Sequence, residues 1–433
     1  MVSGSIVNLL VACLNFFAYP VYLSFLGYEK YGLWLVLFTV VDFCQVANIG
    51  VDVAIMKIVS ENKNENSEIL TSYVSASMLI LFVSGFLVIS TIVGFRSQII
   101  SLFDLTETNS QIMYSLLPYM AVLSVYMYIL KAINAVLAGL GRYDLANYVL
   151  TGGRFLGILL SICSLILGFE LVGLLVSNFI YLIVANIVFR ILIKKESNVR
   201  FLSFVSIQKK HLNYLIRYGG NLFMGSLVNL LYYPVNKIII SRFLGISLLP
   251  VFDIAYRVNI IAVSFIDRAF LALLPEISFL ARYSNQSTRI FQLDRKTMKV
   301  SVIFCSLFFF FIFGFSEMFL KLWLRDEYVN EISLAVKIMA FFGISLILAR
   351  SSRYILLGYG LSYSVLLGNS IQTAANLIII SLIILLFNGE LSIAIICSSN
   401  VFSTLLSSLY FFIHKRVIIK RMEENYAGVS INA

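Results

Sequence analysis

The sequence predicts an all-α integral membrane protein of about twelve transmembrane helices in two six-helix bundles, on three observations. Of its 433 residues 60% are hydrophobic and only 12% charged, too few charges to coat soluble domains. Apolar runs repeatedly reach the ~18 to 20 residues that an α-helix needs to cross ~30 Å of hydrocarbon. Stretches such as Val302 to Phe315 lack the apolar and polar alternation of a membrane strand, which excludes a barrel.

Polar breaks place the spans near 2–26, 31–57, 70–95, 112–140, 144–168, 171–193, 212–243, 247–281, 298–323, 332–358, 362–387 and 391–414. The first run starts almost at Met1 and ends at Gly27-Tyr-Glu-Lys30, so it reads as a transmembrane helix and not as a cleavable signal. An even number of spans puts both termini on one side. Eighteen Lys and Arg residues lie on that side, concentrated at 190–210, 282–299 and 415–421, against Lys30, Arg96, Arg242, Lys321 and Arg325 opposite. Basic loops stay inside, so the termini are expected to be cytoplasmic. The longest outer loop, near 96–111, leaves no room for an extramembrane domain.

The longest polar stretch divides the chain into an N-terminal six-helix bundle (1–193), a cytoplasmic linker (194–211), a C-terminal six-helix bundle (212–414) and a cytoplasmic tail (415–433). Arg200 to Lys209 within the linker suits a basic amphipathic segment in the membrane interface. The bundles echo each other. Asn15-Phe-Phe-Ala-Tyr19-Pro20-Val21 returns as Asn229-Leu-Leu-Tyr-Tyr233-Pro234-Val235, and each is followed by Phe-Leu-Gly, at Gly27 and Gly245. Lys131 precedes Gly139-Leu-Gly141 by eight residues, as Arg350 precedes Gly358-Tyr-Gly360. Six helices per copy make the repeat parallel, with a central cavity as the expected substrate site.

Charge inside spans is costly, so embedded ions default to cavities, pathways or internal pairs. Nine basic residues lie within or at the edges of spans: Lys131, Arg154, Arg217, Lys237, Arg257, Arg268, Lys337, Arg350 and Arg353. The embedded acids are Asp42, Asp52, Asp253, Asp267 and Glu276, so the balance is positive and favours an anionic substrate group. Asp253 and Arg257, four apart on one helix, either neutralise each other or face the cavity; Asp267 and Arg268 pair with neighbours; Arg217 snorkels to the nearby interface. Lys131, Lys237 and Arg350 have no acid three or four residues away, which makes them cavity-lining candidates. Pro20 and Pro234 each break a backbone hydrogen bond inside the first helix of a bundle, and paired kinks suit either packing or a bending gate. Tyr19, Tyr232 and Tyr233 beside them are placed to face a sugar chain.

Other chemistries find no support. The five cysteines stand singly in apolar runs, with no metal-ligand spacing. His211 and His414 end apolar runs beside Lys or Arg and read as interfacial anchors. The basic residues flank spans instead of forming a patch with interleaved aromatics, so no nucleic acid is expected. No P-loop, GxSxG, HExxH or paired-acid loop occurs, so intrinsic ATP hydrolysis and catalysis are excluded.

The stretch Pro20-Val-Tyr-Leu-Ser-Phe-Leu26-Gly27-Tyr-Glu-Lys-Tyr31-Gly32-Leu33-Trp34 resembles the polysaccharide-exporter branch of the multidrug/oligosaccharidyl-lipid/polysaccharide (MOP) superfamily, where a helix-one proline, an LG and a YGxW lead into helix two. Phe252-Asp-Ile-Ala-Tyr256-Arg257 and Pro275-Glu-Ile-Ser278 agree with it. The resemblance, to O-antigen flippases of the Wzx type, implies a MOP fold in the bacterial inner membrane. It implies translocation of undecaprenyl-pyrophosphate-linked O-antigen units by alternating access, as a transporter and not an enzyme. Lys131, Lys237, Arg257 and Arg350 would line a cationic cavity, and Asp42 or Asp253 would couple to H+ or Na+, with no other cofactor. Implied partners are the lipid-linked oligosaccharide, membrane lipids, and the O-antigen polymerase and chain-length regulator. One departure is Asn48-Ile-Gly50 followed by Asp52, where the family often has Asp-x-Gly. The nearest alternative is a drug or cation antiporter of the same superfamily, which should carry an acidic cavity. A lipid II flippase usually has two further helices, a membrane glycan polymerase needs a large catalytic loop, and a scaffold leaves buried cations unexplained.

Overall fold

Every regular element among the described residues of the computed structural model is helical; these are 2–48, 50–62, 67–197, 201, 208–271, 277, 280, 287–386 and 391–430. Half of the expected linker (198–200 and 202–207), the Pro275–Ser278 stretch apart from Ile277, and the side chains of Arg268 and Glu276 lie outside them. Among the described residues ten helices are long and apolar enough to cross a membrane, and the chain is a multi-pass membrane protein. That set leaves out the helix Lys209–Leu244 and takes the first helix as one span, although it turns at Gly27.

The chain divides into two units, through Leu249 and from Pro250 onward. The first holds α1 (Val2–Cys44), α2 (Val51–Asn62), α3 (Ser67–Gly94), α4 (Arg96–Ser101), α5 (Glu107–Gly139), α6 (Tyr143–Ile166), α7 (Glu170–Glu196) and α8 (Lys209–Leu244). The second is built from α9 (Leu249–Leu271), α10 (Ser287–Leu324), α11 (Asn330–Gly358), α12 (Ser362–Leu386) and α13 (Ile393–Ser430).

In the first unit α5 is central: 72% of its apolar window is buried, and it packs against α1, α2, α3, α6 and α7. Its start is fixed by Thr106, whose hydroxyl accepts from the Asn109 amide. α8 begins the second sequence copy, yet it packs along α1, α2 and α3. In the second unit α10 is peripheral, with only 17% of its window buried. Its exposed Phe309, Phe310, Phe311, Phe313 and Phe315 suit a lipid-facing surface, where apolar exposure carries no penalty. α12 and α13 are joined by side-chain amides and hydroxyls, with Asn376 Nδ2 donating to Ser399 at 3.1 Å and Gln372 Nε2 to Thr404 at 2.8 Å.

The repeat is visible in the backbone. Gly27 (φ 67°, ψ 177°) ends the first arm of α1, and Gly245 (φ 88°, ψ 157°) ends α8, both at positive φ, which residues with side chains avoid. The other echo matches bond for bond. The Leu140, Gly141 and Arg142 amides donate to Val136, Ala138 and Leu137; the Tyr359, Gly360 and Leu361 amides donate to Ile355, Leu357 and Leu356. Gly141 (φ 90°) and Gly360 (φ 77°) thus close α5 and α11 with the same turn. Pro20 and Pro234 lie inside α1 and α8 as expected, and Pro118 lies inside α5 as well.

Candidate functional site

A lysine within an apolar bundle needs a partner, and the structure supplies one from another helix each time. In the first unit Lys237 is 2% exposed. Its ammonium lies 3.8 Å from the Asp42 carboxylate and 4.2 Å from the Tyr233 ring centroid. The pair joins α8 to the second arm of α1. Lys131 on α5 is exposed and donates to Gln45 Oε1 at 2.7 Å; Gln45 Nε2 in turn donates to Ser124 Oγ at 3.1 Å. Asp42, Asp52 and Arg154 all lie within electrostatic range of Lys131.

In the second unit Asp253 is fully buried and accepts from Arg257 Nε at 2.5 Å, the internal neutralisation that the i, i+4 spacing allows. Arg350 on α11 lies 2.9 Å from Asp267 on α9, which also accepts from the Tyr354 hydroxyl at 3.5 Å. Arg353 stands one turn further along α11.

Each candidate cation therefore has a definite neighbour: Asp42 for Lys237, Asp253 for Arg257, Asp267 for Arg350, and the neutral Gln45 for Lys131. Asp42 and Asp253, the candidate coupling acids, are engaged with lysine and arginine respectively.

Two polar clusters were not foreseen. Lys415, counted as a loop cation, is 5% exposed, and it donates to Asp294 at 2.7 Å while Ser351 donates to the other carboxylate oxygen at 2.6 Å. Asp294 and Lys415 are 121 residues apart, so no local spacing signals the pair. The expectation of interfacial histidines also needs correction for His211. It is 5% exposed, with Nδ1 2.6 Å from Ser72 Oγ and its ring centroid 3.8 Å from that of Tyr73. Burial and the cationic Lys210 beside it hold its pKa below the usual 6.5. His414 is half-buried, bonded to Ser364 at 2.9 Å and stacked on Tyr410.

Residues 2–281 match the family model described as polysaccharide biosynthesis protein. The chain belongs to the polysaccharide biosynthesis protein family. No curated protein matches it. Solved structures share the family's fold at low identity. An inward-facing multidrug resistance MATE family transporter of the MOP superfamily aligns with TM-score 0.79 and 16% identity, over 95% of this chain and 96% of that one. Lipid II flippase MurJ in an inward closed conformation gives 0.76 and 12%, over 99% and 91%. A MOP superfamily transporter from Pyrococcus furiosus, reported for the reverse polarity of its binding pocket, gives 0.66 and 17%, over 97% and 94%. The fold of this family member is the one these MOP superfamily transporters share, as the resemblance of its Pro20–Trp34 stretch implied.

Proposed function

We propose that this protein is a flippase that moves undecaprenyl-pyrophosphate-linked O-antigen repeat units from the cytoplasmic to the periplasmic face of the bacterial inner membrane. Membership of the polysaccharide biosynthesis family and the MOP fold support a membrane transporter of this kind. One observation carries the substrate class. Among the described residues, embedded Lys131, Arg154, Lys237, Arg257, Arg350 and Arg353 outnumber Asp42, Asp52, Asp253 and Asp267. An excess of cations in low dielectric favours a diphosphate over a cationic drug.

In this reading Lys131, Lys237, Arg257 and Arg350 attract the diphosphate and acidic sugars while the polyprenyl tail stays in the bilayer. The Lys237–Asp42 and Arg257–Asp253 pairs keep those cations compensated when no substrate is present, so that an incoming anion competes with an internal carboxylate. Protonation or Na+ binding at Asp42 or Asp253 then frees the cation for substrate and couples transport to an ion gradient. Site opening alternates between the two faces.

Deletion of the gene in its native host, with gel analysis of surface glycan and extraction of lipid-linked oligosaccharide, tests the function. Loss of surface glycan with repeat units still lipid-linked on the cytoplasmic face is the expected result. Intact surface glycan with altered sensitivity to cationic drugs contradicts it and favours the antiporter.

A further inference from the structure

Asp294 sits in a cluster that, with its carboxylate ionised, is one hydrogen short. Thr297 Oγ1 lies 2.9 Å from the Asp294 backbone oxygen and 2.8 Å from Ser351 Oγ, and Ser351 Oγ lies 2.6 Å from Asp294 Oδ1. Each hydroxyl carries a single hydrogen, so the ionised acid leaves one of these three contacts without one. A proton on Oδ1 completes the set. The carboxyl then donates to Ser351, Ser351 to Thr297 and Thr297 to the Asp294 carbonyl, with no heavy atom displaced. The ionised form is served from the other side, where Lys415 donates to Asp294 Oδ2 at 2.7 Å with only 5% of that lysine exposed. The cluster thus suits both ionisation states, Lys415 answering the charge of one and the hydroxyl chain the hydrogen of the other.

Water reaches Asp294, whose side chain keeps 14% of its surface exposed. The cavity beside it, about 10 Å3 and lined by Asp294, Thr297, Ser351 and Tyr354, has room for about one water and none for a hydrated metal ion. A proton is the cation that fits. Across the cavity the Tyr354 hydroxyl donates to Asp267 on α9, which holds Arg350, with Arg353 in electrostatic range of both. His414 beside Lys415 is bonded to Ser364 on α12, and Arg295 and Lys296 on α10 are exposed. The Asp294–Lys415 pair is also a bridge. Among the described residues α10 and α13 each pack along α11 and barely touch one another, so the pair fastens two helices with little else in common. Discharge of Asp294 leaves a shielded ammonium without its counter-charge, which a long side chain relieves by moving toward water.

We propose that Asp294 is a proton-binding site of the second unit, and that its loading releases Lys415 and unfastens α13 from α10. The inference rests on the flippase reading and adds to it the proton as the coupled ion, at a site apart from Asp42 and Asp253. The proton comes from water at the end of the bundle that carries Lys415. It returns to water when the ammonium docks again and restores the carboxylate.

Infrared difference spectra of the purified full-length protein in detergent, taken between pH 8 and pH 5, test the site. A component of the protonated-carboxyl band is expected in wild type and absent from Asp294→Asn. Thr297→Val takes the last hydroxyl from the chain and should move that component to lower pH by about one unit. Lys415→Met removes the counter-charge and should move it to higher pH by about as much. Opposite shifts are a signature that a purely structural ion pair does not give. A band unchanged by Asp294→Asn, or moved the same way by the other two variants, overturns the site. Flux of fluorescent undecaprenyl-pyrophosphate-linked oligosaccharide in liposomes separates the two levels. An imposed pH gradient should speed wild type several-fold and leave Asp294→Asn unaffected, and exchange of Na+ for choline should change neither. Wild-type flux that needs Na+ and ignores the pH gradient overturns the proton site as the coupling device. Absent wild-type flux, with the Asp294 component and its opposite shifts intact, removes the flippase reading and leaves the proton site standing.

Discussion

Lys237 on α8 reaches Asp42 on α1 at 3.8 Å with its ammonium almost wholly shielded, while the Asp42 side chain remains 41% exposed. The lysine depends on the pair more than the acid does. Asp42→Asn leaves a buried ammonium without its counter-charge and should cost roughly 1–3 kcal/mol, less than a fully buried pair because water reaches the acid side. The double variant Asp42→Asn/Lys237→Met should recover most of that loss. Thermal melting in detergent measures both, and a double variant no better than the single one contradicts the pairing.

The paired turns give a second expectation. Gly141→Ala and Gly360→Ala force a side chain into positive φ and should each cost about 1–2 kcal/mol. Gly152→Ala, in helix with nothing within 4 Å of the new methyl, should be neutral or slightly stabilising. Equal melting temperatures for all three variants would contradict that cost, and unequal losses at Gly141 and Gly360 would deny the equivalence of the two turns.

Gly32 is needed for a close approach. A methyl there would lie 2.0 Å from the Ile246 carbonyl oxygen, which is backbone and cannot rotate away. Gly32→Ala should therefore separate α1 from the turn after α8 at a cost of about 2 kcal/mol or more. Slower disulfide formation between cysteines placed at residues 33 and 247, compared with the parent glycine, would report the separation; an unchanged rate would contradict it.

His211 sets a pH dependence. Its folded pKa is lowered by burial and by Lys210. The unfolded chain therefore binds the proton more readily, and stability falls as pH drops from about 6.5 through the lower folded value. Tyr73 and Ser72, its contacts on α3, offer no negative charge to offset this. Melting temperature should decline between pH 7.5 and 5.5 in wild type and stay flatter in His211→Gln. Parallel profiles would contradict this origin.

The fold was legible because its signals are local. Apolar length marked the helices, and the glycines at 27, 141, 245 and 360 marked turns that only a left-handed backbone makes. The repeat was legible for the same reason. The Asp253–Arg257 pair could be read from its i, i+4 spacing, since both groups sit on one helix face. The partners of Lys237, Arg350 and Lys415 could not, since each comes from a helix distant in sequence and depends on how helices pack. His211 misled because a ring beside two lysines at a span's edge has the composition of an interfacial anchor, whereas packing against Ser72 and Tyr73 buries it. α8 shows the same limit: its sequence opens the second copy, and its side chains pack on the first unit.

The central claim, transport of a lipid-linked anionic glycan, is tested most directly by reconstitution. The purified protein is placed in liposomes with a fluorescent undecaprenyl-pyrophosphate-linked oligosaccharide, and its exposure to an impermeant quencher is followed. The account predicts protein-dependent translocation that Lys131→Glu or Arg350→Glu reduces at least ten-fold and Arg217→Ala leaves nearly intact. No translocation by wild type, or equal rates in all three variants, would contradict it.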